Sequence, residues 1–309
     1  MNGFKLLLIL ALGFVIIAGC AKKSDKVEIQ SLLEKSWFVG EGSVQTADDS
    51  TNIPRAFAGP GFYADTIDFV CWVRHIRRPI AWYFNITVNG DSATATITGY
   101  FTGSPPGYGI FICNDSTLSA PIYTRSIADS VSRKVKLYRD GSSWHIASLT
   151  VADIYTVGSA HPVTITQVQV VVASRNYTFT VTSADQYFAK DQLPVFYPSD
   201  TVQVTVTCQA EDDSTWAFLH HGAGHRPGVG IRIPWRQPFY RDNTTTFSRT
   251  WVIADDSIIN TPAVRHSAVD VLGWQTLWGD STATYYARAW SLPYIIKQLN
   301  DTLPDDEER

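Results

Sequence analysis

The motifs missing from this chain limit its chemistry first. There is no GxSxG elbow, no HExxH pair and no GxxxxGK[ST] loop. Serine hydrolysis of the elbow type, zinc proteolysis and P-loop nucleotide binding therefore lack local sequence support. Gly222-Ala223-Gly224-His225-Arg226-Pro227-Gly228 imitates a phosphate loop, but Pro227, Gly228 and Gly230 leave no helix whose N-terminus could face an anion. Cysteine is scarce, with four in all and no CxxC spacing, which removes the usual zinc and dithiol motifs. A calcium loop of the form D-x-[DN]-x-[DN]-G is also missing, so the Asp-Ser pairs at 49–50, 91–92, 115–116, 129–130, 213–214, 256–257 and 280–281 read as turn markers. Neither sign of charge dominates: 25 Lys and Arg against 29 Asp and Glu give a net −4. That balance exerts no global pull on nucleic acid, and no nucleic-acid partner or cofactor is expected.

Long apolar runs are missing as well. Leu6–Ala18 is shorter than the roughly 20 residues of a membrane-spanning helix. After Lys5 it fits the core of a signal peptide. Ile17-Ala18-Gly19-Cys20 follows and resembles the bacterial lipobox, with Ile17 where Leu is usual. The resemblance implies cleavage before Cys20 and acylation of that residue, and several acyl chains anchor stably where one would be marginal. On this reading 1–19 is a signal peptide and 20–26 a lipid-anchored tether. The membrane is then a partner through the anchor, on the periplasmic side of the outer membrane or at the cell surface. Ala21 is not the Asp that retains some lipoproteins at the inner membrane. Residues 299–309 form a charged tail, whose closing Pro304–Arg309 is expected to fray.

An exported chain meets an oxidising compartment, which allows a bridge between Cys71 and Cys113. Cys208 ends the alternation Val202, Val204, Val206 and reads as a small buried hydrophobe.

Local patterning predicts a mainly β fold. Ile29, Leu32, Leu33 and Trp37 recur at helical spacing and predict one helix over 27–37. Beyond it, Ala81–Val88 and Ser92–Phe101 flank Asn89-Gly90, and Lys134–Arg139 and Trp144–Thr150 flank Asp140-Gly141. Both read as β-hairpins. Helix, Ala-Thr hairpin and the closing hairpin Arg133–Ile146 together resemble the SnoaL-like, nuclear-transport-factor-type cone fold. The resemblance implies an α+β domain over 27–157, a curved antiparallel sheet with a helix around a pocket. In that family Asp or His residues lining the pocket serve as acid or base, and Asp65, Asp68, His75 and His145 are the candidates by position.

Gly158–Pro162 reads as a linker. Seven short β-branched and aromatic runs follow over 163–298, with Thr201–Gln209 and Val264–Leu272 as inner strands. They resemble a bacterial immunoglobulin-like β-sandwich, closed by Trp290–Ile296.

Two clusters carry candidate chemistry. His220 and His225, with His266 from a later strand, are neutral imidazoles of the kind that bind zinc or copper. Successive residues 220 and 221 point to opposite strand faces, so only one of them can join such a site. Between Asp213 and Asp242 the chain has no acid, and it holds Arg232, Trp235, Arg236 and Arg241. A similar run lies between Asp68 and Asp91, with Arg74, Arg77 and Arg78 beside Trp72, Trp82 and Tyr83. Arginine beside aromatic rings suits carboxylates, phosphates and sugar faces. The plainer alternative is that the rings fill a β core while the arginines lie along its rim. No catalytic residue is assigned. The leading expectation is a non-enzymatic lipoprotein that binds an envelope glycan or another envelope protein. The alternatives are an enzyme of the cone pocket, a histidine-metal hydrolase, and a structural spacer.

Overall fold

The computed structural model describes residues 25–39, 50–52, 71–77, 80–105, 109–113, 123–158, 163–210, 215–221, 236–253, 261–280 and 282–306. A helix, α1 (25–35), comes first. It buries Ile29, Leu32 and Leu33 on one face. The expected helix ran to Trp37, but the Ser36 hydroxyl accepts a hydrogen bond from the Phe38 amide at 3.1 Å and turns the chain. Trp37 therefore leaves the apolar face and is 40% exposed.

Strands follow in the order β1 (Ser50–Asn52), β2 (Cys71–His75), β3 (Ala81–Asn89), β4 (Ser92–Gly103), β5 (Gly109–Cys113), β6 (Tyr123–Arg125) and β7 (Ile127–Asp140). Next are β8 (Ser143–Leu149), β9 (Ala152–Thr156), β10 (Val163–Val172), β11 (Tyr177–Val181), β12 (Phe188–Ala189) and β13 (Val195–Phe196). The remainder are β14 (Thr201–Ala210), β15 (Trp216–His221), β16 (Arg236–Pro238), β17 (Tyr240–Arg241), β18 (Thr246–Val252), β19 (Ala263–Leu272) and β20 (Ala287–Ile296), with a short α2 (Trp274–Trp278) before the last. Both expected hairpins form. Their two-residue turns begin at Gly90 (φ 60°) and Gly141 (φ 59°), a left-handed conformation that favours glycine.

Eleven strands share one sheet, whose main path runs β12-β8-β7-β9-β20-β19-β15-β16, with β4 and then β3 branching from β7. A five-stranded sheet has the order β11-β10-β14-β18-β17, and a four-stranded one the order β1-β2-β5-β6. All pairings are antiparallel except β13 with β20. The strands expected to be internal, β14 and β19, have neighbours on both sides.

Two features differ from the sequence-based expectation. The large sheet crosses the expected linker at 158–162: β9 pairs with β20 through Ile154↔Ala289 and Asp153↔Trp290, and β8 pairs with β12. The segments 27–157 and 163–298 thus share one hydrogen-bonded sheet. β20, which carries the expected closing strand Trp290–Ile296, lies between β9 and β19. The charged tail, expected to fray, docks as far as Asp306, which is 7% exposed. Its carboxylate accepts from the Ile146 amide at 3.2 Å and pairs with Lys190 at 2.6 Å.

The five-stranded sheet packs on one face of the large sheet in a β-sandwich-like arrangement. Val202, Val204, Val206, Cys208, Phe247 and Trp251 meet Ala217, Leu219, Val269, Val271, Trp290 and Leu292 in one core. Trp251 stacks edge-on to Phe196 and Tyr294, at 5.8 and 5.1 Å between ring centres. Cys208 is buried as the alternation implied, and burial pushes its thiol up to about 11.

Candidate functional site

The other face of the large sheet holds a second apolar cluster that includes Phe101, Ile127, Val131, Ile154, Phe218 and Leu272. A group of polar side chains is enclosed with it. Strand register explains how they meet. Asp129 on β7 lies opposite Thr156 on β9, and Asp270 on β19 lies opposite Phe218 on β15, one step diagonally from His220. The Tyr285 phenol donates to Asp129 Oδ2 at 2.8 Å, and the Thr156 hydroxyl donates to Oδ1 at 3.0 Å. Arg74 of β2 forms an ion pair with Asp270, and His220 Nε2 lies 3.2 Å from the same carboxylate oxygen. The Arg74 guanidinium also sits 5.8 Å from the centre of the Tyr285 ring.

Burial governs the electrostatics here. It pushes Asp129 up to about 6, against the opposing pull of Arg74 and of the Tyr285 and Thr156 hydrogen bonds. It raises the Tyr285 phenol well above its ordinary range. For Arg74 burial favours the neutral form, but Asp270, Tyr285 and Asp129 outweigh it and the guanidinium is held more firmly charged. Asp129, Arg74, Asp270, His220 and Tyr285 are each at most 5% exposed. The arrangement is a closed electrostatic tie between β2, β7, β15, β19 and the segment before β20.

A second tie fixes α1. The buried Arg133 guanidinium donates to the backbone oxygens of Phe38 at 2.9 Å and Ser291 at 3.0 Å. His266 Nε2 donates to the Trp37 carbonyl at 2.7 Å. Burial and the charge of Arg133 pull the His266 imidazole down to about 3, so it is neutral over the ordinary pH range. Arg139 adds an ion pair to Asp25 at the start of the helix. At the other end of the large sheet Arg125 donates to four backbone oxygens around α2, those of Thr276, Gly279, Asp280 and Ala283.

The sequence-based candidates scatter across this framework. Cys20, Asp65, Asp68, His225, Arg232 and Trp235 lie outside the described residues. Arg236 stands in β16 opposite His220. Arg241 turns inward: it donates to the Thr215 carbonyl and stacks over Trp216 at 5.0 Å and Phe247 at 4.9 Å. It follows the plainer alternative of rim arginines against core rings. His220 and His266 face different partners, Asp270 and Trp37, and among the described residues no three ligand-type side chains converge on a metal position. His75 lies in β2 opposite Gly109. His145 stacks on Tyr138 at 5.4 Å and lies 3.3 Å from Asp306. Cys71 and Cys113 are direct partners in the β2–β5 register.

Sequence reasoning singled out Tyr83 in a basic aromatic run but missed the outer face of β3 and β4 as a surface. Tyr83, Asn85 and Thr87 stand opposite Thr98, Thr96 and Thr94 and share one side of the hairpin, with Tyr100 further along β4. Tyr83 is 59% and Tyr100 49% exposed, and their rings meet edge-on at 6.1 Å. Neither strand contains a charged residue. The visible signal was the Thr alternation at 94, 96 and 98, which marks a solvent face as clearly as Ala93, Ala95 and Ile97 mark a core face. No protein-family model matches the chain, and no curated protein matches it in sequence.

Proposed function

We propose that this chain is an exported, lipid-anchored bacterial envelope protein that binds a neutral glycan, without catalysis, on the outer face of the β3–β4 hairpin. The observation that carries the binding reading is the pair of exposed rings, Tyr83 and Tyr100, beside a ladder of Thr and Asn side chains with no charge among them. Phenol rings stack on sugar faces, and hydroxyls and amides exchange hydrogen bonds with sugar hydroxyls. Lys134 and Lys136 of β7 stand opposite Thr96 and Thr94 on the same side, whereas the tyrosine end faces Ser130 and Ser132, so it is the tyrosine end that favours a neutral polysaccharide. The envelope address rests on the lipobox-like Ile17-Ala18-Gly19-Cys20. It is supported by the register of Cys71 against Cys113, which suits a disulfide in an oxidising compartment.

The cone-like and immunoglobulin-like assignments are part of the same proposal. The first is supported by the β3-β4-β7-β8 run of strands, whose Ala93, Ala95, Ile97, Val135, Leu137 and Ile146 share a core with α1. The second is supported by the five-stranded sheet stacked on β15, β19 and β20.

Pull-down on insoluble neutral polysaccharides tests the binding site. Tyr83→Ala and Tyr100→Ala should each weaken retention about tenfold or more at unchanged melting temperature, with little dependence on salt. Retention that falls steeply with salt and ignores both tyrosines would move the site elsewhere. Detergent partitioning of Cys20→Ser tests the address, and that variant should lose its membrane association.

A further inference from the structure

We infer that β3 is a self-pairing edge, through which two copies of this chain join their large sheets by antiparallel pairing about Asn85. The inference goes beyond glycan binding and stands without it, because the contact is the edge of the hairpin, not its outer face.

An edge strand presents a row of unpaired amides and carbonyls, and proteins usually guard such a row with Lys, Pro, a bulge, or an edge too short to pair. Most other edges among the described residues follow that rule. Strands β1, β6, β12, β16 and β17 have at most three residues, and β11 has five. The rim of β8 is covered by β12 and by the Asp306 carboxylate on the Ile146 amide. β3 is different. It runs nine residues, Ala81–Asn89, with no Pro and no charged side chain. It pairs with β4 in unbroken register from Ala81↔Tyr100 to Asn89↔Ser92. Among the described residues its other side pairs with nothing. The core-facing Trp82, Phe84 and Val88 are only partly buried there, so the strand brings an uncovered apolar row to the same edge.

The occupant that fits is a second β3. A two-fold axis at Asn85 sets Trp82 against Val88, Tyr83 against Thr87 and Phe84 against Ile86 of the other copy. Each pair joins an aromatic ring to a β-branched side chain, a favourable cross-strand combination. The absence of charge lets the strand meet itself without repulsion, and the pairing closes on itself as a two-fold contact must.

Charge placed at the axis tests this. Two differently tagged full-length chains, co-expressed and extracted in mild detergent, should co-purify. With Asn85→Lys in both copies, or Asn85→Glu in both, co-purification should fall at least tenfold, because like charges then lie directly opposite. Asn85→Lys in one copy with Asn85→Glu in the other should restore it. Asn85 is an exposed strand residue, so each variant should keep the wild-type circular dichroism and melting temperature. Wild-type copies that do not co-purify, variants that co-purify as well as wild type, or a Lys/Glu pair that does not recover would each overturn the inference.

Discussion

One face of the large sheet is filled with hydrocarbon, while the other encloses ions. On the sandwich side Leu219, Val269, Val271 and Trp290 pack against Val202, Val204 and Phe247. One residue along the same strands the side chains are His220 and Asp270, the latter paired with Arg74, with Asp129 and Tyr285 nearby. The dry side draws on non-directional burial, so a side chain there can be replaced by another of similar volume at small cost. The charged side gains little net stability from its ion pairs, since desolvation offsets attraction, but it does not tolerate loss of one partner. The first face sets how firmly the layers adhere, and the second fixes which strands lie beside which.

The sharpest way to break that contrast is at Asp270. Asp270→Ala strands the buried Arg74 guanidinium without its carboxylate and should cost about 3–5 kcal/mol. Replacing both partners, as Arg74→Met with Asp270→Leu, should recover most of the loss. Urea denaturation of the three chains checks this. An Asp270→Ala midpoint close to wild type would mean that the charged face is no tie at all. On the dry face Leu219→Met, which keeps the volume, should lower the unfolding free energy by less than about 1.5 kcal/mol.

The pH dependence sharpens the comparison. Asp129 is raised from 3.8 to about 6, so between those values the folded state holds the proton better, and stability falls as pH rises through the window. His266 is lowered from 6.5 to about 3, so below 6.5 the unfolded state takes the proton, and stability falls as pH drops. From about pH 4 to 6 the two contributions oppose, at about 1.4 kcal/mol per pH unit each where both act fully. His266→Gln keeps a donor for the Trp37 carbonyl and removes one of them. Its stability relative to wild type should therefore drop between pH 4.5 and 6, and that of Asp129→Asn should climb. Parallel stability profiles in all three proteins would contradict the buried environments of both groups.

The dry face was the legible one. Alternation at Val202, Val204, Val206 and Cys208 reveals a strand and its inner side without any knowledge of its neighbour. The Gly90 and Gly141 turns were readable because a two-residue hairpin is local chemistry. The charged face was not readable, since Arg74 and Asp270 are 196 positions apart: Arg74 stood out as one of several arginines beside aromatic rings, and nothing local ties it to Asp270. The same limit hid the pairing of β9 with β20, which periodicity cannot predict, and so placed a boundary inside a shared sheet. Arg241 was misleading in the opposite sense. A run without acids looks like a contact surface, yet its guanidinium is held by a carbonyl and two rings of its own core.

A smaller effect is expected where the hairpin branches from the large sheet. Trp82 lies opposite Gly99, and a methyl group on Gly99 would come within 2.6 Å of the indole and 3.0 Å of Val131. Gly99→Ala should cost about 1–3 kcal/mol by overpacking. Trp82→Leu should relieve most of that cost in the double variant, and thermal melting of the pair reads the coupling. Additive losses would show that the indole does not rest on the glycine.

The smallest effect separates exposed ions from buried ones. Lys134 and Asp185 form an ion pair at 2.8 Å, the same chemistry as Arg74 with Asp270, but their side chains are 44% and 74% exposed, against 4% and 2% for the buried pair. Water already solvates both groups, so separating them leaves neither stranded, and salt screens what attraction remains. Lys134→Ala should shift stability by no more than about 0.5 kcal/mol, and a double-mutant cycle with Asp185→Ala should give a coupling that fades in 0.5 M salt, roughly a Debye length of 4 Å. A cycle for Arg74 and Asp270 should keep most of its coupling in that salt, because the pair is sealed under Phe218, Leu272 and Tyr285. If the exposed coupling were as large and as resistant to salt as the buried one, burial would not be what sets the charged face apart. The contrast between the two faces would then have to rest on pairing geometry alone.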